Sequence, residues 1–152
     1  MTVDQLLLVV QEAARNLIQR TTRPYPVALV VPLPGSTKVT SLDGFPDDDD
    51  ERTDVMSVFA ARHLIPDNAA CFGMVAEATG ADGQDVLVVV YGARRRGSFV
   101  TAAMIEQDGL GEFAEPEPLE PTAMPFIQPL QHAVDMAEPA SDPGGGLPII
   151  GP

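Results

Sequence analysis

The chain has 152 residues, a formal charge of −13 from 22 acidic against 9 basic side chains, and 45% hydrophobic residues. That length allows one domain with one core, and that hydrophobic share excludes a wholly disordered chain. The charge argues against nonspecific binding to nucleic acid or anionic lipid, because a broadly anionic surface repels phosphate; no apolar run approaches the roughly 20 residues of a membrane span.

The first element is a helix over residues 3–20. Thr2-Val3-Asp4-Gln5 has the spacing of a capping box. Leu6, Val9, Val10, Ala13, Leu17 and Ile18 recur at helical intervals, with Gln5, Glu12, Arg15 and Gln19 on the other side. Arg20 and Arg23 suit the negative end of the helix dipole, and Pro24 stops it. Leu6–Val10 is too short, and has no basic residue before it, to read as a secretory leader. A cytoplasmic location is expected, or a place in a virion if the chain is phage-encoded.

Val27–Val31 is a β-branched run bounded by prolines. Pro34-Gly35 reads as a turn, and Lys38–Leu42 as the returning strand of a hairpin. The run Asp47-Asp48-Asp49-Asp50-Glu51 is read as acid gathered where a helix opens, since negative charge meets unpaired amides there. That helix is expected from about Glu51 to Leu64, ended by Pro66.

Three strands follow: Ala70–Ala78, Val86–Tyr91 and Phe99–Ile105. Gly80-Ala81-Asp82-Gly83 and Arg94-Arg95-Arg96-Gly97 are the turns between them. Short turns make antiparallel neighbours. Both alternating sets of Val86–Tyr91 are apolar, which places that strand inside the sheet. The order αββαβββ predicts an α+β domain over residues 1–111: an antiparallel sheet of about five strands with two helices on one face.

Residues 112–152 contain no Lys or Arg and hold nine of the fifteen prolines. This composition predicts an extended acidic, proline-rich C-terminal arm. Within it, Phe126, Leu130 and Val134 lie four apart beside Ile127, so residues 126–137 are expected to form a short amphipathic helix. Ser141–Gly146 reads as a spacer before the apolar Leu147, Ile149 and Ile150.

The residues of chemistry do not assemble into a motif. Cys71 is the single cysteine and sits in an apolar run, which reads as a structural thiol; pairing it with His63 is the weaker reading. The aspartate run lacks the alternation and the sixth-position glycine of a calcium loop. Pro34-Gly35-Ser36-Thr37-Lys38 lacks Walker spacing and leads into no helix. Catalytic, cofactor and metal residues are therefore expected to be none.

The expected function is non-enzymatic: an interaction or assembly protein whose arm docks on a partner subunit, as in a phage particle or a bacterial multiprotein complex. A protein partner or a homo-oligomer is expected, without nucleic acid or membrane. The partner-binding candidates are Arg94, Arg95 and Arg96 as an electrostatic cluster, Phe126, Ile127, Leu130 and Val134 as one apolar anchor, and Leu147, Ile149 and Ile150 as a second. The alternative for residues 126–137 is folding back on the chain's own sheet. The alternative functions are a small metabolite- or peptide-binding domain, and an enzyme with an unrecognised site.

Overall fold

The computed structural model describes residues 2–138. Helix α1 (Val3–Arg20) begins with a complete capping box: Gln5 N donates to Thr2 Oγ1 at 3.1 Å, and Thr2 N to Gln5 Oε1 at 2.7 Å. A hairpin follows, β1 (Val27–Leu33) and β2 (Ser36–Leu42), turned at Pro34-Gly35 where Gly35 adopts φ +81°. Helix α2 spans Asp49–Phe59. Asp48 caps it, its carboxylate accepting from Glu51 N at 3.0 Å, so the aspartate run opens this helix two residues earlier than expected. The helix ends in a wider π turn over Ala60–Leu64, closed by Ile65 N donating to Ala60 O.

The meander β3 (Cys71–Thr79), β4 (Asp85–Ala93) and β5 (Gly97–Glu106) is antiparallel throughout, with β4 between its two neighbours. Strand β1 also pairs β3, which joins the hairpin to the meander. Two short strands, β6 (Gly109–Leu110) and β7 (Glu117–Pro118), lie along β5 and complete a seven-stranded antiparallel sheet, two strands more than expected. A 3-10 turn (Pro125–Ile127) and helix α3 (Gln128–Asp135) close the described chain.

The helices do not share one face, and the expectation of two helices on one side is corrected. Helix α1 covers one face, packing Leu6, Val10, Ala14 and Leu17 on Ala28, Val30, Val75, Leu87 and Val89. Helices α2 and α3 cover the other, on Leu29, Val31, Phe72, Met74 and Val90. The reason lies in the strands. Strands β1, β3 and β4 are apolar on both alternating sets, so each face needs a cover. Burying each large side chain contributes about 1.5–3 kcal/mol.

The expected boundary at residue 111 falls inside this body. The acid–proline run is extended, but it lies against β5 rather than standing off as an arm. Gly111 N donates to Met104 O, Ala114 N to Ala102 O and Leu119 N to Ser98 O. Thr101 Oγ1, in a buried side chain, donates to Ala114 O. Proline and glutamate suit this position. An edge strand needs hydrogen-bond donors on one side alone, and charge with missing donors deters further pairing.

Candidate functional site

The two edges of the sheet differ. Along β5 the chain covers its own edge with residues 109–119. Along β2 nothing among the described residues pairs the outer side. The direction of the β2 amides follows from its hairpin. A two-residue loop is flanked by a hydrogen-bonded pair, here Leu33 and Ser36, and the pairs then alternate. Pro32 faces Thr37 in a non-bonded pair, the position that its missing N–H requires. Thr37, Val39 and Ser41 therefore turn their backbone N–H and C=O groups outward.

Each face of this strand borders a groove. Between α1 and β2 lies a groove of about 510 Å³, where Val9, Glu12 and Arg20 of α1 face Thr37, Val39 and Ser41. Between α2 and β2 lies one of about 410 Å³, where Thr40 and Leu42 face Asp54, Val58, Phe59 and Arg62. Val39 and Val58, which line these grooves, are 53% and 49% exposed. His63 stacks on Phe59 with ring centroids 4.7 Å apart. Lys38, the lone charge on β2, is drawn to Asp67 at 2.8 Å. No acidic residue occurs from Thr21 to Leu42, in a chain of charge −13.

The arginine cluster sits at the β4–β5 tip, beside the end of α3. Arg95 takes φ 60° and its backbone N donates to Asp135 Oδ1 at 2.7 Å. Arg94 Nη1 donates to Ala137 O at 3.3 Å, and Arg94 N to Ala70 O. Arg96 follows at the exposed end of the turn. Two of the three residues thus hold α3 to the sheet. Their role there is structural, through backbone groups as much as through charge.

The first apolar anchor is part of the core. Ile127, Leu130 and Val134 are fully buried and Phe126 nearly so, all against α2 and the sheet. The helix expected at residues 126–137 is present, and of the two placements weighed for it the fold-back is observed. The physical reason is that the α2 face of the sheet has apolar area which α2 alone leaves open. Leu147, Ile149 and Ile150 lie outside the described residues.

Several residues that seat these elements gave little sequence signal. Gln131 is buried and ties α3 to the sheet: its Nε2 donates to Ala93 O at 2.9 Å and Asp135 Oδ1 at 2.8 Å, and its Oε1 accepts from Ser98 Oγ at 2.8 Å. Gly92 makes room, since a Cβ there would meet Gln131 Oε1 at 2.3 Å. Arg52 lies over the rings of Phe45 and Phe126, 5.4 Å from each, and its Nε donates to Pro46 O.

The chemical groups are dispersed. Cys71 is buried on the α1 face, and desolvation pushes its thiol up to about 12, which keeps it protonated and unreactive. His63 is on the opposite side, with Phe59. Among the described residues no group of His, Cys, Asp and Glu converges as metal ligands, and no helix is long and apolar enough to cross a membrane. No protein-family model matches the chain, and comparison with curated proteins and with solved structures gives no match.

Proposed function

We propose that this is a non-enzymatic interaction and assembly protein, and that its docking surface is the outer edge of β2 with the two grooves beside it. One observation carries the reading: the chain covers its β5 edge with its own acid–proline segment, yet among the described residues leaves β2 unpaired, with outward amides, a half-exposed Val39 and no acid within the strand itself. An unpaired strand edge binds an extended segment through main-chain bonds, and the flanking grooves read its side chains.

Arg94, Arg95 and Arg96 are proposed as a secondary, electrostatic contact for acidic groups on a partner. Leu147, Ile149 and Ile150 are proposed as a second apolar anchor. Phe126, Ile127, Leu130 and Val134 leave the docking list, because exposing them would open the core.

The test is a native mass measurement of the protein in lysate. The expected result is a complex larger than the 16.1 kDa chain that is lost on Val39→Pro or Val58→Asp. Replacing the three arginines with Ser should weaken it at low salt alone, since exposed pairs are worth about 0–1 kcal/mol and are screened. A free monomer in lysate, or a complex indifferent to both β2-side substitutions, sinks the assignment of this surface.

A further inference from the structure

We infer that the occupant of the β2 edge is a second copy of this chain, paired antiparallel about a twofold axis through Val39. The inference rests on the reading of β2 as the docking surface and names its partner.

The register carries it. The residues with outward amides are Thr37, Val39 and Ser41, which are symmetric about Val39. A twofold axis there sets Val39 against Val39 of the second copy, and Thr37 against Ser41 of the second copy. Every one of these residues then exchanges both backbone bonds, as in a hydrogen-bonded antiparallel pair. An axis perpendicular to the sheet keeps like faces together. Thr37, Val39 and Ser41 already share the α1 face, so no side chain is forced across the sheet. At the centre, the half-exposed Val39 side chains cover each other.

Charge permits this approach. Two copies of charge −13 repel, but the pairing strand itself is free of acid, and the acids of its grooves, Glu12 and Asp54, are accompanied there by Arg20 and Arg62. Lys38 comes opposite Thr40 of the second copy rather than another Lys38, and its charge is already engaged by Asp67. The assembly also closes. The far edge of the sheet is covered by residues 109–119, where Pro116 and Pro118 interrupt the donors. With one long unpaired edge among the described residues, pairing stops at two copies rather than running on as a fibre.

The experiment uses the purified full chain. Sedimentation across micromolar to millimolar concentrations should show a species of twice 16.1 kDa. Val39→Pro should weaken it at least tenfold. This substitution deletes an outward N–H and leaves the β1–β2 bonds in place, so its thermal melting should stay close to the parent's. Val39→Lys is the second variant, for the case that proline disturbs the strand. Hydrogen exchange gives the register: the amides of Thr37, Val39 and Ser41 should gain protection as concentration rises. Monomer at every concentration, or a dimer indifferent to both variants, overturns the proposal. So does protection of these amides that is independent of concentration, which means that the chain's own remaining residues cover the strand. If the purified chain stays monomeric while the lysate complex still depends on Val39, the second copy is wrong and the docking surface stands.

Discussion

Gly92 and Gly73 show how single missing side chains set the distance between layers. At Gly73 a Cβ would lie 2.5 Å from a Val10 methyl, so α1 rests on backbone there. At Gly92 it would meet Gln131 and also Phe72, at 2.5 Å. Gly92→Ala must therefore push α3 outward or break the Gln131 bonds. We expect a loss of about 1–3 kcal/mol, the usual cost of overpacking a tight site, read as a lower urea midpoint with an unchanged slope. An unchanged midpoint would show that α3 is seated elsewhere.

Arg23 is the other residue with a legible consequence. It bonds Glu77 at 2.8 Å and Asp85 at 2.6 Å, linking the chain after α1 to β3 and β4. The Arg23 hydrogen bond holds both carboxyls below their ordinary values. The sign follows from linkage. A carboxylate whose folded pKa is depressed adds stability above its unfolded pKa, about 4 for these groups. That stability is lost as pH falls through the lower, folded value. Arg23→Gln removes it, so acid unfolding followed by circular dichroism should begin at higher pH than in the parent. The difference between the two proteins is greatest above the unfolded pKa, where both carboxyls are charged, is kept small by the exposure of the contact, and fades as acid protonates them. A coincident acid transition would count against the ion pair.

Among the elements, the segment after β5 has the largest structural role for the least regular structure. Residues 109–119 close one edge, and residues 125–137 fill the α2 face with Phe126, Ile127, Leu130 and Val134. A chain ending at Gly111 would expose the Leu29, Val31, Met74 and Val90 side of the sheet and strip β5 of its partner. We expect it to lose cooperative melting and to bind a hydrophobic dye. Retention of the parent melting curve would restore residues 112–138 to the status of an independent arm. Strand β4 makes the complementary case. Val90 is fully buried, and Val90→Asp would place an unpaired charge between α3 and the sheet. We expect a loss of several kcal/mol on that account, checked by thermal unfolding.

At the scale of the whole molecule, the two edges divide the labour. Acid and proline alternate along the segment that covers β5, whereas strand β2 itself carries neither; the acids nearest it, Glu12 and Asp54, belong to the helices that border its grooves. The sheet is thus polar: one edge is closed internally, and the other, among the described residues, is unpaired. The −13 charge repels other anionic surfaces.

Much of this was legible from neighbouring residues alone. The capping box at Thr2–Gln5, the Pro34-Gly35 turn, the acid opening of α2 and the interior position of β4 each follow from side chains a few positions apart, and each is present. The apolar spacing of Phe126, Leu130 and Val134 likewise announced a helix. It could not say what the helix packs on, because an amphipathic face specifies that it will be buried, not against which surface. The two apolar sets of Val86–Tyr91 held the answer, since they require cover on both sides of the sheet, but that requirement becomes a location when β1, β3 and β4 are side by side. The acid–proline run shows the same limit. Its extended backbone follows from composition; its pairing with β5 depends on which strand edge remains unpaired, a relation between residues far apart in the chain. The unpaired outer side of β2 among the described residues is of that kind too, which is why no local pattern marked Val39.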